Sequence, residues 1–354
     1  MSRLAGEGPR SLPTVAEQGT RRGPAGEAGR GSGAAAVGHA VPRVPDFFIV
    51  GQPKSGTTAL HEMLRRHPQI FMPEGKEPWF FAAELLERTP PRPEGTPRTL
   101  EDYLALFEGA APDQRVGEAS ALYLWSKTAA RSIAEVAPEA RIIAILREPA
   151  SLLRSLHLQF LQTYVETEPD LRRAIELEDA RRAGEQLPRY TYWPSALLYS
   201  DHVRYVSQLR RYAELFPPER MLVLIYDDFR ADNEGTVRRV LRFLGVDESH
   251  PVQAVEANPS VQMRSARLHE MLHALSVGRG PVSRALKATV KAATPKPLRQ
   301  NALRATQKRF YLSPEPVDER LMLELRRRFR PEVEALAEYL HADLLGRWGY
   351  DELD

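Results

Sequence analysis

The sequence predicts an α/β fold, a three-layer doubly wound sheet with central parallel strands. Three observations point to it. Phe47 to Val50 is a short apolar, aromatic and β-branched run that leads directly into a glycine-containing loop and an amphipathic segment. Arg141 to Leu146 is a near-continuous apolar run, the mark of a parallel strand covered on both faces. Met221 to Tyr226 is a second run of that type, and helical patterns alternate with the strands along the chain.

A chain of 354 residues with 42% hydrophobic content can bury a sizeable core, as one large α/β domain or two small ones. Its formal net charge of +2 argues against a protein that coats polyanions, and no nucleic-acid partner is expected. Cysteine is absent, which excludes disulfides, thiolate metal sites and a cysteine nucleophile, and fits a reducing compartment. No run of about 18 apolar residues and no signal-peptide pattern occurs, so no transmembrane segment is expected.

Residues 1–43 are rich in Gly, Ala, Arg and Pro and are expected to form a disordered tail ahead of a domain over 44–350. In the stretch Asp46 to Leu64 the strand is followed by Gly51, Pro53, Lys54, Ser55, Gly56, Thr57 and Thr58. Leu60, Met63 and Leu64 then fall at i, i+3, i+4 on a helix. A strand that turns sharply into a helix leaves unpaired N–H groups at the turn, and the helix dipole adds positive potential there. Such a loop binds phosphate-like anions. Lys54 adds a full charge and the threonines add hydroxyl donors. A Walker A loop has its lysine after the second glycine; here Lys54 precedes Gly56.

His67-Pro68 ends the helix, and Ile70 to Met72 predicts a short strand. A proline- and arginine-rich loop spans 88–99, and Glu101 to Phe107 predicts a short helix. Val116 to Leu124 reads as a strand end and turn, followed by a helix ending near Pro138. Further helices are predicted from about Ala150 to Tyr164 and through the charged segment bearing Arg172, Arg173, Arg181 and Arg182. Ser195 to Phe216 predicts one long helix, and Asn233 to Leu244 a helix closed by Gly245. Residues 271–314 contain no acidic residue but many Lys and Arg, and form either a mobile insertion or a flap over an anionic ligand. An amphipathic helix from about Pro316 to Leu340 and a segment from Asp343 to Trp348 close the chain.

Arg147 falls at the carboxyl end of a predicted strand, where open α/β sheets bind ligands. Ser155 follows on the next helix. Arginine grips phosphate bidentately and serine adds a hydroxyl, so this pair is a second candidate anion site.

Pro53-Lys54-Ser55-Gly56-Thr57-Thr58 resembles the 5′-phosphosulfate-binding loop of the sulfotransferases. Arg147-Glu148-Pro149 with a helical Ser155 resembles their 3′-phosphate element. The resemblance is nearest to the heparan sulfate 3-O- and N-sulfotransferase branch and its bacterial relatives, and spans about Pro45 to Trp348. It includes Lys76-Glu77-Pro78-Trp79-Phe80-Phe81, Leu222 to Phe229, Arg242 to Gly245, and Gly346-Arg347-Trp348. It implies a fold related to the P-loop nucleotide kinases and 3′-phosphoadenosine-5′-phosphosulfate (PAPS) as co-substrate, with no metal. It further implies a hydroxyl-bearing acceptor, a carbohydrate, glycolipid or small molecule. In that reading Lys54 offsets leaving-group charge and Ser55 to Thr58 hold the 5′-phosphosulfate. Arg147 and Ser155 hold the 3′-phosphate, and Glu77 is the general base. Golgi sulfotransferases carry a membrane anchor, so its absence implies a cytoplasmic, bacterial relative.

Alternatives stand beside this reading. Glu77 also reads as an ordinary loop carboxylate paired with Lys76, and Lys76 as a residue that orients the sulfonate or acceptor. Glu118 is a second candidate base, followed by His61, His67 and His157. Glu118-Ala119-Ser120-Ala121 has alanine where family members often carry a lysine that touches sulfonate or acceptor. Tyr190, Tyr192, Trp193 and Tyr199 offer a stacking face for adenine or a sugar ring, while Tyr199 and Tyr205 read better as core. The rival functions are a P-loop kinase or NTPase, against which the misplaced lysine argues, and an inactive nucleotide- or polyanion-binding adaptor.

Overall fold

Strand β1 (Phe47–Gly51) is the centre of a five-stranded sheet. The other strands are β2 (Ile70–Phe71), β3 (Arg115–Ala119), β4 (Arg141–Leu146) and β5 (Met221–Ile225), in the order β2-β3-β1-β4-β5 with every pair parallel. This is a computed structural model, which describes residues 43–86, 96–163, 165–188, 191, 193–253, 255, 262–263, 311–312 and 317–353. The expected tail up to residue 42, most of the 271–314 insertion, and Tyr190 and Tyr192 lie outside the described residues.

The helices are α1 (Thr57–Arg65), α2 (Ala83–Leu86), α3 (Leu100–Leu104), α4 (Ala129–Val136), α5 (Pro149–Thr163), α6 (Leu171–Glu176) and α7 (Glu178–Arg182). They continue with α8 (Tyr199–His202), α9 (Tyr205–Ala213), α10 (Tyr226–Ala231), α11 (Asn233–Leu244), α12 (Glu319–Leu340) and α13 (Leu344–Trp348). A two-residue antiparallel pair joins β6 (Gln262–Met263) to β7 (Tyr311–Leu312).

The pleat of β1 divides the core. Phe47 and Ile49 pack on one side with Leu60 and Leu64 of α1 and Val240 and Leu241 of α11. Phe48 and Val50 pack on the other with Ile133 of α4, Leu156 of α5, Leu209 of α9 and Val333 of α12. A strand buried on both faces has no polar side to show, which is why β1 and β4 read as unbroken apolar runs.

The single helix expected over 195–216 is not formed. A 3-10 turn (Pro194–Leu197), α8 and α9 take its place. Between α8 and α9 the Asp201 and His202 carbonyls turn to side chains instead of helical amides. Gln208 Nε2 donates to Asp201 O at 2.9 Å and His202 O at 3.2 Å, and Gln52 Nε2 donates to His202 O at 3.2 Å. Side-chain amides thus supply what the broken helix ladder gives up.

Candidate active site

β1 ends at Gly51, and Gln52 N donates to Ile145 O at 2.7 Å, holding the start of the loop against β4. The chain then passes through Lys54 (φ 63), buried Ser55 and Gly56 (φ 85) into α1. A Cβ on Gly56 would sit 3.0 Å from the Phe229 ring and 3.3 Å from Tyr226, so both conformation and space call for glycine. α1 has no side-chain cap, leaving the amides of its first turn facing the loop. Burial, and then the nearby Arg147 charge, lower the Lys54 pKa.

Arg147 follows β4, the strand beside β1. Its Nη1 donates to Lys54 O at 2.9 Å, and its guanidinium carbon lies 4.7 Å from the centre of the Tyr226 ring. Its own carbonyl accepts from Tyr205 Oη at 2.7 Å. The two expected cradles therefore meet at the carboxyl edge of the sheet, one hydrogen bond apart. Glu148 caps α5, accepting from Ala150 N at 2.9 Å and Ser151 N at 2.7 Å, and also from Tyr350 Oη at 2.6 Å. Ser155 lies one turn beyond Ser151 on the same face of α5 and is buried.

The third part of the site comes from the stretch after β2. Glu77 N donates to Ala119 O at 3.0 Å, which lays the segment against the end of β3. Glu77 (φ 65) and Trp79 (φ 52), like Lys54, hold left-handed backbone conformations that side chains seldom adopt. Glu77 Oε2 accepts from Trp79 Nε1 at 2.8 Å and Ala121 N at 3.1 Å, which fills it. Oε1 accepts from Lys76 Nζ at 2.7 Å and keeps a second lone pair. The same ammonium donates to Thr57 Oγ1 at 2.9 Å and Thr58 Oγ1 at 3.4 Å. The plain pairing of Glu77 with Lys76 is present, and the shared lysine also ties the carboxylate to the anion loop.

A profile described as the sulfotransferase family matches residues 45–250. The chain belongs to the sulfotransferase family. It is 27% identical over 256 residues to carbohydrate sulfotransferase 15 of Mus musculus, covering 57% of this chain and 44% of that protein. It is 30% identical over 204 residues to heparan sulfate glucosamine 3-O-sulfotransferase 6 of Homo sapiens, covering 58% of this chain and 53% of that protein. The chain spans about half the length of the curated relatives it matches. The crystal structure of a sulfotransferase from Alicyclobacillus acidocaldarius superposes with a TM-score of 0.59 at 23% identity, covering 86% of this chain and 99% of that one, and shares its fold.

The remaining candidate bases of this sulfotransferase-family chain are buried out of solvent. Glu118 is 1% exposed and accepts from Tyr103 Oη at 3.1 Å; burial pushes its carboxyl up to about 7. Both nitrogens of His157 are engaged, Nδ1 with Tyr199 Oη at 2.9 Å and Nε2 with Pro169 O at 3.1 Å. His67 Nε2 bonds Asp247 O at 2.8 Å, and His61 is buried on α1. Tyr199 and Tyr205 are core residues, but on two helices instead of one.

Sequence reasoning missed Gln52, Glu148, Tyr205 and Tyr226 as supports of the site. Only Glu148 carries a local signal, a carboxylate just before a helix whose first residue is proline. The two stretches of weaker resemblance near the carboxyl terminus are in contact. Trp348 Nε1 donates to Asp227 Oδ2 at 2.9 Å, and Arg347 Nη1 pairs with Asp228 Oδ2 at 2.9 Å.

Proposed function

We propose that this chain transfers the sulfonate of PAPS to a hydroxyl of a carbohydrate, glycolipid or small-molecule acceptor by in-line displacement. The observation that carries the reading is the Arg147–Lys54 hydrogen bond of 2.9 Å, which joins two cationic cradles at one sheet edge. A ligand with an anionic group at each end matches that pair, and a mononucleotide with one phosphate cluster does not use the second. The relatives named carbohydrate and heparan sulfate sulfotransferases support the acceptor class.

The donor supplies a sulfonate already joined to a leaving phosphate. In this reading the loop amides of Ser55 to Thr58 hold the 5′ end, and Arg147 with Ser155 holds the 3′-phosphate. Lys54 offsets the charge that grows on the leaving phosphate oxygen, the kind of electrostatic contribution that dominates many catalysed transfers. Glu77 Oε1, the carboxylate oxygen with a lone pair to spare, takes the acceptor's hydroxyl proton as the acceptor oxygen bonds sulfur. Adenosine 3′,5′-bisphosphate departs.

Calorimetric titration with adenosine 3′,5′-bisphosphate and with adenosine 5′-phosphate tests the assignment. Arg147→Ala is expected to weaken the bisphosphate by about 1.5–3 kcal/mol, roughly 10- to 100-fold. The monophosphate should change little. Equal losses for both nucleotides would remove Arg147 from the 3′-phosphate site.

A further inference from the structure

Helix α10 backs both cradles, yet no side chain caps it. Its N-cap position is Ile225, which offers no acceptor to the first amides. Asp227 and Asp228 stand in its first turn, and an oxygen of each is turned to α13. Asp227 Oδ2 accepts from Trp348 Nε1 at 2.9 Å, and Asp228 Oδ2 pairs with Arg347 Nη1 at 2.9 Å. The arginine pair is exposed on both sides and adds little. The indole is 5% exposed, so its bond to Asp227 is the firmer link.

α10 presents two rings to the site. The Tyr226 ring centre lies 4.7 Å from the Arg147 guanidinium carbon, and Phe229 packs against Gly56 of the donor loop. Beyond Trp348 the chain turns at Gly349 (φ 67), and buried Tyr350 donates to Glu148 Oε1 at 2.6 Å. Glu148 follows Arg147 directly and caps α5. One short stretch therefore fixes Arg147 twice, through its ring support and through its backbone.

Resting on the nucleotide reading above, we propose that Trp348 and Tyr350 are positioning residues. They hold the Arg147 guanidinium in the one orientation that grips the 3′-phosphate with two bonds. Neither touches the nucleotide: Trp348 acts through Asp227 and Tyr226, and Tyr350 through Glu148. Arg147 Nη1 is already engaged by Lys54 O, so the remaining donors of its planar fork reach a phosphate from few directions. A guanidinium free to roll loses the second of two parallel bonds. The 5′ end, held by several loop amides, depends less on any one group.

Calorimetric titration of the full chain with adenosine 3′,5′-bisphosphate and adenosine 5′-phosphate tests this. Tyr350→Phe, which removes one hydroxyl, should weaken the bisphosphate roughly three- to tenfold and leave the monophosphate within about twofold. Trp348→Phe should weaken the bisphosphate by a similar factor, with part of the loss shared by the monophosphate because Phe229 rides on the same helix. Asp227→Asn keeps an oxygen for the indole and should bind as the wild type, while Asp227→Leu should match Trp348→Phe. In the Arg147→Ala background Tyr350→Phe should change bisphosphate affinity no further. Variants that keep the wild-type ratio of the two affinities, whatever their thermal stability, would overturn the proposal, as would a Tyr350→Phe loss that adds to that of Arg147→Ala. A wild-type chain that binds neither nucleotide would overturn the donor reading beneath it, and the positioning with it.

Discussion

The proposed transfer makes turnover depend on Glu77, and the surroundings of its carboxylate say how. Four hydrogen-bond donors converge nearby: the Trp79 indole and Ala121 amide on Oε2, and the Lys76 ammonium on Oε1, with the Glu77 amide itself spent on Ala119. Oriented in this way, one lone pair of Oε1 remains for a hydroxyl proton. Lys76 touches both the carboxylate and the loop threonines, so the charge nearest the base is also a charge on the donor loop. Ala119 carries no cation of its own, and Lys76 enters from the segment bonded to its carbonyl. Glu77→Gln keeps the shape and removes the basic oxygen. Turnover measured by release of the bisphosphate is expected to fall by at least about 100-fold, the low end for a general base. Calorimetric affinity for the bisphosphate should hold. A variant that keeps most of its turnover would move the proton to another acceptor.

The donor loop is only as well placed as the elements under it. Gln52, the first residue after β1, donates to His202 O at 3.2 Å and to Gln208 Oε1, and so bolts the loop to the break between α8 and α9. Both amides are buried, and removing Gln208 takes one partner from Gln52 and the side-chain donor from Asp201 O. Gln208→Leu is expected to cost about 1–3 kcal/mol in urea unfolding, and to weaken bisphosphate binding through the loop. Lower stability with unchanged binding would limit the pair to a role in the fold. None of this was legible beforehand. The runs of β1, β4 and β5, the loop Gly51 to Thr58, Arg147 and the closure of α11 at Gly245 were, because each is written in neighbouring residues. At the interruption of the helix expected over 195–216, one of the donors to the freed carbonyls is Gln52, some 150 positions away. Hydrophobic period alone cannot register such a partner. Glu148 with Tyr350, and Asp227 with Trp348, are invisible for the same reason. Trp193 was read as a stacking residue, but its neighbour Trp79 beside the base emerges only when the sheet edge assembles.

Two buried groups, Glu118 and His202, make the whole molecule's stability depend on pH in opposing ways. Burial pushes the Glu118 carboxyl from 4.5 up to about 7. Burial pushes the His202 imidazole from 6.5 down to about 4. As pH rises from 4.5 to 7, the unfolded chain sheds the glutamate proton while the folded chain keeps it, so stability is lost with rising pH. As pH falls from 6.5 to 4, the unfolded chain protonates the histidine while the folded chain resists, so stability is lost with falling pH. Each displacement corresponds to about 3 kcal/mol. Where the windows overlap, from pH 4.5 to 6.5, the two slopes cancel. Glu118→Gln removes one slope and still accepts the Tyr103 hydroxyl. Relative to the wild-type chain it should be more stable by about 3 kcal/mol near pH 8 and nearly equal below pH 4.5, with the difference growing through the interval. The variant alone should then lose stability on acidification from 6.5, where the histidine limb is no longer offset. Urea unfolding followed by circular dichroism across that range measures both. A stability difference independent of pH would mean that Glu118 titrates in the fold as an ordinary carboxylate, and that Tyr103 and the surrounding core do not hold its proton.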